Sequence, residues 1–432
     1  MSRSVINALP ELVKADIISE KTADNIRDFY RHKEEASPNR LLIVFGALGA
    51  ILTGLGIILI IAHNWDELSR TTKTLFSFLP LVMGQALCAF VLLKKRKQVA
   101  WRESTAIFLF FAVGASISLI SQVYNIPGNL SSFLLTWMLL CFPLIYIMRS
   151  SVTSLLYVVG ITYYACETGY WAYPSSTPYL YWLLLLLAIP HYYLLWKHKP
   201  ESNFTVWHHW FVPLSVIITL GTWATSSEEL MFVAYLSLFG GLYLIGKTDA
   251  FNAQKLMYNG YRILGAGGIL ALLLFLSFDE FWNHLYEEKL SFAGVITTTE
   301  FFVALLLSLA ATVLLYRAHQ RTSWKEVELM EVVFLIFILT FLIGLFTPVL
   351  PVVMMNILVL LLGITTLRQG ARMHHLGVLN YGLLIITALI ICRFFDVNLS
   401  FVVRGILFVL VGVSFFLANY QMLQKKKALE EK

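Results

Sequence analysis

The sequence predicts an all-α polytopic membrane protein: a bundle of about 14 transmembrane helices preceded by a short cytoplasmic helical hairpin. Three observations carry this. Hydrophobic residues make up 58% of the 432 residues and charged residues only 13%, against roughly 45–50% and 25% in soluble domains. Apolar runs close to the ~20 residues that a bilayer-crossing helix needs recur along the chain. Basic residues, finally, collect in alternate connections between those runs, as the positive-inside rule requires.

Residues 1–40 form the hairpin, the only substantial segment outside the membrane. "LPELVKADIISEKTADNIRDFYRHKEE" reads as two short helices, the first through Leu9–Lys14. Ser19 is a good N-cap for the second, with Glu20 in its first turn. Ala23, Ile26 and Tyr30 then share one face. That stripe needs a docking surface, which the other helix, the membrane surface or a cytoplasmic partner can provide.

Residues 41–420 form the membrane domain. The expected spans are 41–62, 75–93, 104–124, 131–148, 151–166, 179–196, 210–225, 230–246, 263–278, 301–316, 329–346, 350–367, 376–393 and 399–420. With the N-terminus inside, all but five of the 32 Lys and Arg fall on the inner side; the exceptions are Arg70, Lys73, Lys289, Arg393 and Arg404. Acidic residues gather outside instead, in "TSSEE" and "FDEFWNHLYEEK". An even span count follows, with both termini cytoplasmic and residues 421–432 a basic cytoplasmic tail. The first 40 residues lack the apolar core of a secretory signal, so the first span is expected to act as the insertion signal.

Polar residues that interrupt this pattern supply the candidate sites. The first apolar run ends in "HNWDELSR". His63 and Asn64 stand there at the hydrocarbon edge with hydrogen-bonding groups to satisfy, followed by Trp65 and Asp66. At the outer end of the third span, "SQVYNIPGN" carries Gln122 and Tyr124. Its Pro127-Gly128 pair fits the centre of a type II turn. A tight hairpin there brings Trp137 of the fourth span to a similar depth. Arg404, about five residues into the last span from outside, is an intramembrane cation and so a functional candidate. These residues form an expected outer pocket. Glu103, at the inner end of the third span near Lys94–Lys97, is a candidate inner-side polar site. His191, after Pro190, reads as a packed histidine bonded to a carbonyl that the proline frees.

Several of these motifs also carry a resemblance. "GLGIILIIAHNWDEL", "WRES" with Glu103, "SQVYNIPGN" and Trp137 occur in the order seen in bacterial multi-pass membrane proteins of domain-of-unknown-function family 2157. The opening "ELVKADIISEKTADNIRDFY" is similar to that family's start, and the resemblance covers roughly residues 5–150. It implies a bacterial inner-membrane location and no established activity.

Absent motifs narrow the function. No P-loop, HExxH or GxSxG occurs, no Asp, Glu or Lys lies at the centre of a span, and Cys88, Cys141, Cys166 and Cys392 form no metal-spaced set. No cofactor, metal or nucleic acid is expected. The partners expected are the lipid bilayer, a small-molecule or lipid substrate, and a cytoplasmic partner of the hairpin. The resulting expectation is a carrier or flippase-like protein whose outer-facing polar pocket takes an amphipathic or anionic substrate. The alternatives are a structural or sensory protein working through its hairpin, and a membrane enzyme acting on a lipid headgroup.

Overall fold

The computed structural model describes residues 2–35, 65–252, 255–288, 292–320, 327–373 and 375–396, with single positions between 402 and 424. The chain divides into two compact units, Met1–Phe76 and Ser77–Lys432. The described residues form helices and no strand.

In the first unit, α1 (Ser2–Lys14) and α2 (Glu20–Glu35) pack as a hairpin. Ser19 caps α2 as the sequence indicates, its Oγ accepting the Thr22 N–H at 3.2 Å. Leu9 and Ala23 are buried, so the Ala23 end of the apolar stripe is consumed within the unit. Ile26 is half-buried, and the Tyr30 side chain lies outside the described residues. The first helix starts seven residues earlier than expected, at Ser2 rather than Leu9. Pro10 marks a first turn in most helices; here the helix continues upstream across it, giving up the one hydrogen bond that proline cannot donate.

Fifteen further helices follow among the described residues. They are α3 (Arg70–Phe90), α4 (Val99–Tyr124), α5 (Leu130–Ile147), α6 (Ser151–Cys166), α7 (Leu180–His198), α8 (Asn203–Leu220), α9 (Leu230–Gly246) and the short α10 (Asp249–Asn252). After these come α11 (Gly260–Phe275), α12 (Glu280–Glu288), the short α13 (Phe292–Val295), α14 (Thr299–His319), α15 (Leu329–Gly344), α16 (Val349–Arg372) and α17 (Leu376–Asp396). Every expected span from 75–93 to 376–393 coincides with one of them. The expected spans 41–62 and 399–420 lie outside the described residues, the second apart from single positions. Among the described residues eight helices are long and apolar enough to cross a membrane, and the bent pair α11–α12 would make nine. The chain is therefore a multi-pass helical membrane protein.

Two hydrophobic cores organise the second unit. One joins α3 to α8 around Phe110, Met138, Tyr157 and Tyr181; the other joins α8 to α17 around Leu236, Trp282 and Phe337. Val216 of α8 packs against both. The short α9 is buried along most of its length, against α11, α14 and α15. Gly265 makes that packing close: a Cβ there would stand 2.6 Å from the Tyr243 backbone nitrogen. Small residues at such seams let membrane helices approach.

Alternating connections give the second unit a basic and an acidic face. Lys94–Lys97, Arg149, Lys197, Lys199 and Lys247 belong to one set of helix ends; Glu167, Glu228, Glu229, Asp279, Glu280 and Glu288 belong to the other. On the acidic face α12 turns 75° from α11. Buried Trp282 fixes the turn by donating to the Leu276 carbonyl at 2.7 Å and stacking on Gly344, where a Cβ would come within 2.8 Å of its ring.

Candidate functional site: a groove along three helices

The reversal between α4 and α5 is built from asparagines rather than from the expected Pro-Gly turn. No glycine among the described residues has positive φ, which a type II turn would demand of Gly128. Asn125 instead takes the left-handed conformation (φ 50°, ψ 44°). The Ile126 N–H bonds the Ser121 carbonyl at 2.9 Å and the Asn125 N–H bonds the Gln122 carbonyl at 3.4 Å. These two bonds close α4 in a Schellman motif. Asn129 then caps α5, its Oδ1 accepting the Ser132 N–H at 2.8 Å. The chain reverses tightly, as expected, by a different device.

Below this turn a groove of about 950 Å³ runs along α3, α4 and α5. Its walls include Phe78, Leu81, Val113, Phe133 and Leu140, and its polar lining Gln85, Ser121, Gln122, Asn129 and Thr136. Two of its hydroxyls are engaged locally: Ser121 Oγ donates to the Ile126 carbonyl at 3.0 Å, and Thr136 Oγ1 to the Ser132 carbonyl at 2.8 Å. Gln85 and Gln122 are exposed to the groove, and among the described residues neither side-chain amide has a protein hydrogen bond. Gln85 lies fifteen residues beyond Arg70, about 22 Å along α3. An amide left unbonded in hydrocarbon costs roughly 2–7 kcal/mol, so a groove reaching that depth serves an otherwise unfavourable residue. No lining residue is ionised.

The expected outer-pocket residues fare differently. Gln122 lines the groove. Tyr124 is exposed at the end of α4, outside the lining. Trp137 points into the α4–α5 seam, its indole donating to the Phe110 carbonyl at 2.8 Å and its ring packed by Phe110, Phe111 and Phe133. Trp65 opens a 3₁₀ turn, Trp65–Glu67, with Lys73 Nζ 5.9 Å from its ring centroid. His63, Asn64, Arg404 and the Asp66 side chain lie outside the described residues. Sequence reasoning missed Gln85. Its signal was a lone amide in the apolar stretch "LPLVMGQALCAF".

Glu103 is buried at the basic end of α4, and it meets a helix terminus there rather than Lys94–Lys97. It accepts hydrogen bonds from the Ser150 hydroxyl and from the N–H groups of Ser151 (3.0 Å) and Val152 (3.1 Å). A carboxylate suits this place because the first N–H groups of α6 lack intrahelical acceptors and the helix dipole favours negative charge.

From that cap a polar network crosses the basic half of the unit. His191 Nε2 stands 3.4 Å from Ser151 Oγ, which differs from the expected bond to a backbone carbonyl. His208 Nδ1 donates to the Phe204 carbonyl at 2.7 Å, leaving Nε2 to accept from Ser154 Oγ at 3.0 Å. Tyr192 stacks on His208 and shares hydrogen bonds with His209 Nδ1 (2.5 Å) and Tyr261 (3.1 Å). These residues lie far apart in sequence, so no local motif announced them.

A second polar cluster closes the basic end of α9. Lys247 Nζ contacts Glu328 at 3.0 Å and also Glu331, while His319 Nε2 lies 3.2 Å from Glu331. Tyr243 and Gln369 each donate to Glu328 at 2.8 Å. Burial works to raise the Glu328 carboxyl. Lys247 and the donated hydrogen bonds outweigh it and hold the carboxyl below the usual carboxylate range.

These elements define a helical membrane protein with two polar regions buried on the basic side and one open groove towards the acidic side. Its first third matches a known family: residues 10–154 fit the family model described as "Predicted membrane protein (DUF2157)", in agreement with the resemblance read from the motifs. No curated protein and no solved structure matches the chain.

Proposed function

We propose that the α3–α4–α5 groove binds an amphipathic, lipid-like molecule and that the protein acts as a carrier or flippase-like protein for it. The unbonded Gln85 amide deep in the groove carries this reading. Gln122 near the mouth and Gln85 well down the span form a polar track along which a headgroup can travel while its chains stay in the bilayer. An uncharged lining favours a neutral or zwitterionic head over an anionic one. Both termini face the cytoplasm of a bacterial inner membrane, because the basic face then lies inside. Cysteines placed at Ser226 and Gln98 in a Cys-free background test the orientation. Only the first should react with an impermeant reagent in intact cells.

The binding test is native mass spectrometry of the protein extracted with its lipids, followed by titration with phosphatidylethanolamine. The double variant Gln85→Leu/Gln122→Leu should lose retained lipid while its thermal midpoint stays level or rises. Retention equal to wild type would remove the groove as the site.

A second reading, in which the α1–α2 hairpin recruits a cytoplasmic partner, draws on the strongly exposed Ile17 at its corner. Deleting residues 1–36 should then leave the membrane domain stable and abolish recruitment.

A further inference from the structure

We propose that Glu229, His284 and Glu288 form a binding site for a divalent first-row transition metal on the acidic face. One ligand atom from each lies within 4.8 Å of the others. His284 and Glu288 are spaced i, i+4 on α12 and so share a face. Glu229 immediately precedes α9.

The site rests on fixed elements. Phe281, Trp282 and Leu285 are buried on the adjoining face of α12 and anchor the helix, while His284 and Glu288 stay exposed. Glu229 is nine-tenths buried; its Oε1 lies 3.3 Å from His284 Nδ1, and its Oε2 has no hydrogen-bond partner. A second carboxylate, Glu288, stands beside it. Two carboxylates this close suit a cation between them, and the imidazole selects one of borderline softness. Histidine is a poor partner for Mg²⁺ or Ca²⁺ and a good one for Zn²⁺, Ni²⁺ or Fe²⁺.

Metal–ligand bonds of ~2.0–2.2 Å put donors on one ion about 3–4 Å apart. The exposed His284 and Glu288 side chains need only small rotations to reach that geometry. Binding requires His284 Nδ1 to surrender its proton and turn its lone pair to the ion. Three protein ligands leave coordination open to water or an incoming anionic group. The sequence concealed the site because Glu229 is distant in the chain and only the "HLYEE" pair is local.

Zn²⁺ titration of full-length, chelator-stripped protein in detergent, followed by calorimetry, tests the site. Wild type should take up one Zn²⁺ per chain at this site. His284→Ala and Glu288→Gln, both changes at exposed positions, should each weaken that uptake at least about tenfold, since even ligand-supporting residues cost 10–100-fold when removed. Glu229→Gln should do the same if it folds. Uptake unchanged in His284→Ala and Glu288→Gln would overturn the proposal. So would a wild-type protein that takes up no Zn²⁺.

Discussion

Glu103 Oε1 accepts the Ser151 N–H at 3.0 Å across 48 residues of sequence, so the end of one span caps the start of another. Glu103→Ala should cost about 1–3 kcal/mol, the penalty for leaving buried donors unmet. Glu103→Gln, which keeps one carbonyl acceptor, should cost less. Thermal unfolding of the detergent-extracted variants reads the difference. Equal midpoints for all three proteins would mean that the cap contributes nothing.

Gly114 and Gly128 make a matched pair. A Cβ on Gly114 would lie 2.6 Å from the Trp137 ring, whereas one on Gly128 meets nothing within 4 Å. Gly114→Ala should therefore destabilise by about 1–3 kcal/mol through overpacking. Gly128→Ala should be close to neutral, since this glycine does not use its special backbone freedom. A type II turn would make Gly128→Ala the costly one, and that ordering would refute the Asn125-based reversal.

Gln122→Leu separates a groove residue from interhelical glue. A glue residue would lose on the order of 0.6 kcal/mol, a typical membrane hydrogen bond. With no protein partner for the Gln122 amide, stability should hold or increase. A reproducible drop in the thermal midpoint would reassign Gln122 to helix packing.

The Lys247 cluster predicts a pH dependence. Glu328 has a folded pKa below its ordinary value. Its stabilising contribution is therefore complete above the unfolded value of ~4.3 and is lost as pH falls through the folded one. Glu328→Gln should flatten this acid limb of the stability curve. Lys247→Met should be worse at neutral pH, by about 3–5 kcal/mol, because it strips a cation from nearly buried Glu331. An acid limb unchanged by Glu328→Gln would place the titration elsewhere.

How much of this was legible depended on range. Helix positions were legible because bilayer thickness acts locally on runs of apolar residues. The Ser19 cap was legible because capping involves neighbours. The α4–α5 reversal was half legible: its place was marked by "YNIPGN", but Asn125 competes with Gly128 for the left-handed position, and composition alone favoured glycine. Trp137 illustrates the converse failure. An aromatic residue at the depth of the polar cluster reads as a member of the pocket, yet the backbone gap at Gly114 draws it into the seam. Glu103 was flagged for its charge, but its partners, the first N–H groups of α6, lie almost fifty residues on and left no local sign. The histidine network and the Glu229–His284–Glu288 cluster depend on which helices adjoin, and periodicity carries no such information.

Trp282 also has a bearing on how the protein is made. Its docking site at Gly344 is translated about sixty residues later, several seconds at roughly 5–20 residues per second. Until α15 arrives, Phe281 has its partner Phe232 on the earlier α9, but Trp282 lacks its cover at Gly344. The acidic-face cap is thus a late event in biogenesis, and the ribosome finishes much of the C-terminal half before α12 can settle.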